Sequence, residues 1–495
     1  MEDGTITQVG RQSQTAPDAT ETVDADGSVL CPGFIDTHSH SDLEVFADPV
    51  LEPKVRQGIT TEIVGQDGFS AGPLSRDKTG EWEDHLSGMN GRLDDDWEWG
   101  CLGAYLDAIE ANSCGPNVAT LVGHGTVRYE TLGMTDREPT PAELEEMAAL
   151  VAGALEDGAI GFSTGLVYPP QVHATTGEVR RLARELAAFD RPFVAHIRNE
   201  SVDIWEALEE FIRIGSRESI PLHLSHFKLA FAPQHGKARR AIGVLKSARE
   251  RGVDITADQY PYTAGSTKLG EVLPAWVHAD GPEGVIESLQ TEADRARIRA
   301  HLEARLDDWD RVVVTSVAST RNQAAIGETI AAIARERGTT PETAIMDLLV
   351  EERLEVGKIT YMLHEDDVRS ILQYGGACIA TDGLLGGNPH PRTYGTYPRV
   401  LGHYVRDENL LPLEAAVQMM TALPARAMGM QTKGLVRPGM DADLLVFDPV
   451  AVRSNATFEQ PRQYPDGIEH VLVNGSFVVR EEAITGSLPG SVIRA

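Results

Sequence analysis

Short apolar, β-branched runs alternate with longer amphipathic stretches along most of this chain. The runs fall at 33–38, 59–65, 118–123, 159–163, 192–197, 221–226, 253–259 and 377–381, each of a length suited to a buried strand. Between them, 141–156, 178–189, 201–214 and 237–251 repeat their apolar residues at helical spacing. Regular alternation of strand and helix predicts parallel βα units, and eight such strands predict an α/β fold of the closed (β/α)8, TIM-barrel type.

Two regions interrupt the alternation. Residues 76–115 contain the acidic, tryptophan-rich GRLDDDWEWG, which reads as an excursion on the barrel rim. Residues 264–320 hold two helical patterns and a strand-like run at 312–317, expected as an insertion over the mouth and a candidate lid. The ends differ again. Strand fragments at 5–9 and 28–30 and further runs at 444–447, 470–473 and 477–479, broken by Gly and Pro, predict a small β-sandwich domain. It would be built from residues 1–31 and 432–495, leaving 32–431 to the barrel.

The 495 residues carry 75 Asp and Glu against 44 Lys and Arg, a net charge of −31. Such a field repels nucleic acid and anionic membrane, so neither is an expected partner. Lysine is scarce, and an acidic, Lys-poor surface suits either a halophilic source or an ordinary acidic bacterial protein. No apolar run is long enough to span a membrane, and the polar start MEDGTITQVGRQ has no secretory apolar core, so a cytoplasmic location is expected. Four widely spaced cysteines, Cys31, Cys101, Cys114 and Cys378, contain no C-x-x-C pair and read as reduced, buried thiols.

The chemistry concentrates at predicted strand ends. The first apolar strand runs into His38-Ser39-His40, and side chains two apart on an extended chain share a face, so both imidazoles can grip one ion. His196, His226 and Asp382 end three other strands. In a barrel that is the rim where catalytic groups collect. Any one of these alone is more often a satisfied core residue or a cap. Together, four histidines and a carboxylate suit one or two divalent ions, zinc first and other first-row metals as alternatives. His223, at an odd offset from His226, should point to the opposite face of its strand. His124, at the end of the third strand, reads equally as a substrate contact or as structure.

These residues lie in segments that resemble the N-acyl-D-amino-acid deacylases (D-aminoacylases) of the metal-dependent amidohydrolase superfamily. The matching stretches include PGFIDTHSHSD, GITTEIVGQDGFSAGP, GAIGFSTGLVYPP, VAHIRNES, LSHFK, DQYPYTAGST, ATDG, HPRTYGTYPRVLGHYV and GLVRPGMDADLLVFDP, in family order from residue 32 to 448. The resemblance implies hydrolysis of N-acyl-D-amino acids to a carboxylate and a free D-amino acid. It also implies one ion on His38, His40 and Asp382 and another on His196 and His226, with Asp382 as the base that deprotonates water.

One departure concerns the bridging ligand. Well-known members end the second strand in Asn-Cys-Gly with a bridging thiolate, whereas this chain has Gly65-Gln66-Asp67-Gly68. Asp67 either bridges two ions in the thiolate's stead or stands behind a single one. The resemblance further assigns Lys228 and Arg392 to the substrate's α-carboxylate and Tyr262 to that carboxylate or the oxyanion.

The alternative is a cyclic-amide hydrolase of hydantoinase or dihydroorotase type on the same barrel. Those enzymes use a lysine bridge, and no lysine stands at the fourth strand end, STGLVYPP. Nucleobase deamination, with Glu200 of His196-x-x-x-Glu200 as proton shuttle, is less favoured. The pocket is expected to take a small molecule, and no oligomeric state is implied. Members of the family usually carry a further strand pair ahead of the segment matching EDGTITQVG. Either translation starts upstream or the small β domain lacks strands.

Overall fold

A computed structural model describes residues 1–10, 19–86, 89–91, 93, 97, 99–305 and 308–495. The chain enters through β1 (Val29–Pro32) and then builds a ring of parallel strands. These are β2 (Phe34–Asp36), β3 (Ile59–Val64), β4 (Asn117–Thr120) with its continuation β5 (Val122–Gly123), β6 (Phe162–Gly165), β7 (Phe193–His196), β8 (Leu222–Leu224) and β9 (Ile255–Gln259). The chain then leaves the ring to form β10 (Ala264–Lys268), β11 (Val312–Val317) and β12 (Val356–Tyr361), and returns through β13 (Ala377–Ile379). The β2-β3-β4 and β5-β6-β7-β8-β9-β13 ladders are parallel throughout. A parallel bridge between Ser39 and Gly383 and the bond from Asp382 N to His38 O (2.9 Å) join the last strand to the first. The ring closes as a TIM-type barrel in which the eight predicted strands are the staves.

Every residue of β3 and of β9 is buried, as parallel strands covered on both faces must be. Helices supply the outer layer. The helix Pro141–Glu156 starts where its sequence says it should. Thr140 accepts from Glu143 N, Glu143 reaches back to Thr140 N, and Pro141 needs no intrahelical donor. The predicted run at 159–163 is displaced to β6, because Ala159 N still closes the preceding helix on Ala154 O.

The tryptophans of the rim excursion pack inward. Trp97 stacks on Trp99 at 5.6 Å, and Trp99 on Phe46 at 5.3 Å. Residues 92, 94–96 and 98 of GRLDDDWEWG lie outside the described residues. The second interruption is a folded unit extending past residue 320, because its central strand comes last: β12 pairs antiparallel with both β10 and β11. Leu289, Leu302, Trp309, Ile345 and Leu349 give this unit its own core.

The C-terminal strands β14 (Leu444–Phe447), β15 (Ile468–Val473), β16 (Ser476–Arg480) and β17 (Ala483–Ile484) join β1. Where a sandwich is expected, the named strands of the two ends form one five-stranded antiparallel sheet, β1-β14-β15-β16-β17. Near the N-terminus the predicted strand at 5–9 is reduced to bridges from Thr5 to Glu2 and Asp441. All four cysteines are unpaired; Cys31, Cys114 and Cys378 are buried, but Cys101 is exposed at the start of a helix. Among the described residues no helix is long and apolar enough to cross a membrane.

Candidate metal centre

The C-terminal ends of the barrel strands converge on one buried pocket. His38 and His40 follow β2, His196 is the last residue of β7, and His226 and Asp382 follow β8 and β13. Asp67 arrives from the turn after β3. Gly65 makes that turn possible at φ +76°, where a Cβ would fall 2.3 Å from the Leu121 carbonyl oxygen. Three non-glycine residues of the pocket hold left-handed backbone: Asp67 at φ 55°, His226 at 34° and Asp382 at 47°. Such conformations cost on the order of 1–3 kcal/mol each and concentrate where a side chain must be aimed.

Asp67 stands among all four imidazoles. Its Oδ1 lies 3.6 Å from His38 Nε2 and 3.5 Å from His226 Nε2. Its Oδ2 lies 3.9 Å from His40 Nε2 and 3.6 Å from His196 Nδ1. Asp382 Oδ1 faces His40 Nε2 at 3.4 Å and His38 Nε2 at 3.7 Å. The ligand atoms of His38, His40 and Asp382, and those of His38, Asp67 and His226, form sets within 4.8 Å.

Sequence reasoning gave too small a part to Glu200, which forms a third such set with His196 and His226. It lies 3.0 Å from His226 Nδ1 and 3.7 Å from His196 Nε2. The signal was its position four residues after His196. Asp258, in DQYPY, was not foreseen at all. It accepts from His226 N, pairs with His223 Nε2 at 2.8 Å and lies 3.9 Å from His38 Nδ1. Asp258 and Glu200 thus stand behind His38 and His226 on the sides away from Asp67, the usual way a ligand imidazole is oriented.

Buried groups without partners test whether this pocket fits a metal. His38 Nδ1 and Nε2, His40 Nδ1, His196 Nδ1 and Asp67 Oδ1 are buried and make no hydrogen bond. Leaving so many polar atoms unanswered is costly, and imidazole nitrogen with carboxylate oxygen is a zinc-type donor set. The residues fit the ion. Burial opposes the Asp382 carboxylate, yet Arg392 and His38 hold its pKa well below the usual range. Burial lowers His38 to about 4, leaving it neutral and free to donate a lone pair.

The remaining predicted residues divide. Lys228 lines the cavity with Nζ 2.7 Å from both Glu200 Oε1 and His226 Nδ1. Arg392 is fully buried, 2.9 Å from Asp382 Oδ2, and donates to Ser266 O at 3.2 Å. Tyr262 does not line the cavity; its hydroxyl donates to Pro391 O and its ring meets His390 edge-on. Tyr260 takes its place, with a buried hydroxyl that has no partner and a ring 4.5 Å below the Arg392 guanidinium. His223 is packed between Thr256 and Asp258, and His124 sits on Glu178 at 2.9 Å, outside the cavity. The cavity measures about 950 Å³ and is walled on one side by the insertion, through Thr267, Glu271, Leu273, Trp309 and Lys358.

The profile of the amidohydrolase family matches residues 21–479. D-aminoacylase of Alcaligenes xylosoxydans xylosoxydans is 36% identical over 490 residues, 99% of this chain and 91% of that protein. N-acyl-D-glutamate deacylase of the same organism is 35% identical over 97% of this chain and 89% of its own length. Among solved structures, N-acyl-D-glutamate deacylase from Bordetella bronchiseptica, complexed with zinc and a phosphonate mimic of the tetrahedral intermediate, superposes with a TM-score of 0.85. It is 35% identical, with 100% of this chain and 94% of that one covered. A D-aminoacylase structure concerned with its binuclear metal centre gives 0.85 at 34% identity and the same coverage.

Proposed function

The chain belongs to the amidohydrolase family, in the branch of the N-acyl-D-amino-acid deacylases, and from that premise we propose that it hydrolyses the amide bond of N-acyl-D-amino acids with zinc as cofactor. The observation that carries this reading is the convergence of four imidazoles and three carboxylates on one pocket whose wall also holds Lys228, Arg392 and Tyr260.

His38, His40 and Asp382 would hold one ion and His196 and His226 a second, with Asp67 between them and Glu200 behind the second pair. When bound, zinc supplies Lewis acidity, which acidifies water and polarises a carbonyl. The protein does the rest. Asp382, kept ionised by Arg392, takes one proton from the attacking water and delivers it to the leaving nitrogen as the C–N bond breaks. The water oxygen ends in the released acid, which gives up the water's second proton to solvent as it becomes the carboxylate. Arg392 Nε has no hydrogen-bond partner, and together with Lys228 it suits the substrate's α-carboxylate. The free Tyr260 hydroxyl suits that carboxylate or the developing oxyanion.

A cyclic-amide hydrolase is not favoured, because the relatives named above cleave linear amides and β6 runs into Leu166-Val167-Tyr168 without a lysine. The test is a hydrolysis screen of N-acetyl-D- and N-acetyl-L-amino acids with the zinc-loaded protein. Turnover of the D series is expected. Preference for the L series, or turnover of hydantoin or dihydroorotate in its place, overturns the reading.

A further inference from the structure

The part of the cavity wall built by the insertion carries its own charge pattern. β12 lies between β10 and β11, with Lys358 directly across from Thr267 and Val314, and Thr360 across from Gly265 and Val312. Two apart on a strand, Lys358 and Thr360 share a face, and that face lines the cavity. The Lys358 side chain is only 7% exposed. Its Nζ donates to Thr360 Oγ1 at 3.2 Å and lies 3.3 Å from Glu271 Oε2, while Arg305 pairs with the other oxygen of the same carboxylate.

Among the described residues, two cations therefore share one carboxylate. Elsewhere on the cavity wall the cations are matched singly: Lys228 with Glu200, Arg392 with Asp382, Arg198 with Glu210. Burial lowers the Lys358 pKa, Arg305 adds to that, and Glu271 offsets only part of it. An ammonium has three donors, and two are directed at Thr360 and Glu271. The surplus charge and the remaining donor both call for an anion.

The strand pairing connects this spot to the metal centre. Arg392, the partner of Asp382, donates to Ser266 O, and the next residue on β10 is Thr267, opposite Lys358. Neighbouring strands lie about 4.8 Å apart, so Lys358 stands one strand spacing from the backbone that Arg392 touches.

We propose that Lys358 is a specificity-determining residue that receives a second carboxylate of the substrate, beyond the α-carboxylate, and so selects N-acyl-D-amino acids that carry one. This rests on the deacylase reading. The second carboxylate could belong to the amino-acid side chain or to the acyl group, and two substrate pairs separate these sources: N-acetyl-D-glutamate against N-acetyl-D-glutamine, and N-succinyl-D-alanine against N-acetyl-D-alanine.

With the zinc-loaded enzyme, the charged member of at least one pair should lead in kcat/KM by roughly ten- to a hundredfold, the usual worth of a charged hydrogen bond, mostly through KM. Lys358→Met should bring that ratio to within about threefold of one, and Lys358→Arg should keep part of it. Equal turnover within both pairs overturns the proposal, as does a ratio that Lys358→Met leaves unchanged. If Lys358→Met fails to fold, by circular dichroism and zinc content, the wild-type ratios and Lys358→Arg decide. Inertness towards all four substrates instead overturns the deacylase reading, and this inference with it.

Discussion

Beneath the metal pocket the barrel is closed by a charge in its core, and removing that charge is a strong test of how the site is held. Lys54 is fully buried, its Nζ 3.0 Å from Asp36 Oδ2, 2.7 Å from Glu62 Oε1, 2.8 Å from Ser39 Oγ and 3.0 Å from Thr381 Oγ1. Asp36 also accepts from Thr381 N at 2.9 Å. These bonds tie the strand end that carries Asp382 to the one that carries His38 and His40. Burial opposes the Lys54 charge, but Asp36 and Glu62 override it and raise its pKa.

Lys54→Met keeps the volume and removes the cation. Glu62, whose pKa burial already raises, can take up a proton, so the uncompensated charge is that of Asp36 alone. Breaking one buried pair from one side costs roughly 3–5 kcal/mol, a large part of the roughly 5–15 kcal/mol by which proteins are stable. Loosening the support behind metal ligands typically costs about 10–100-fold in metal affinity. Guanidinium unfolding of the chelator-treated protein measures the first effect, and zinc competition against a chromophoric chelator the second. A variant within about 1 kcal/mol of wild type, with unchanged zinc affinity, would refute the role given to Lys54.

Four further outcomes are expected. Asp382→Asn should lower kcat/KM by roughly 10²–10⁴-fold, the range for a general base, with metal analysis showing the loss of no more than one zinc per chain. Asp67→Asn should lower the zinc content of the dialysed protein, read by elemental analysis. Tyr260→Phe should cost about tenfold in kcat/KM and Tyr262→Phe less than about threefold, since of the two only Tyr260 lines the cavity and its hydroxyl has no partner, whereas that of Tyr262 is bonded to Pro391 O. Burial would raise Glu271, but Arg305 and Lys358 depress it from 4.5 to about 2. Its contribution to stability is therefore present above pH 4.5 and lost as pH falls towards 2, so the unfolding midpoints of wild type and Glu271→Gln should converge across that window.

Much of this site was legible in the sequence because parallel barrels bring strand ends together. His38, His40, His196, His226 and Asp382 each close an apolar run, and the ring geometry alone makes those ends neighbours. What escaped was whatever depends on the path beyond a strand end. After β9 the chain turns at once, with Tyr262 N bonded to Tyr260 O, so of two tyrosines two apart the nearer one reaches the cavity. Asp258 lies within β9, and its contact with His226 depends on the register between β8 and β9. The insertion was cut short because its central strand, β12, begins 39 residues after β11 ends, a separation that no local pattern reports. The ends were read as a sandwich because alternating short runs do not say whether strands stack in two layers or join into one.

The join between β13 and β2 has a consequence for how the protein comes into being. His38 emerges from the ribosome early, and Asp382, which shares its pocket, is made only after more than three quarters of the chain. The nascent polypeptide can therefore assemble most of its ring before it can assemble the complete ion-binding cluster. Hydrolytic competence arrives only with the last stave, and a cation held across that seam would act as the clasp on a hoop otherwise secured by a few bonds.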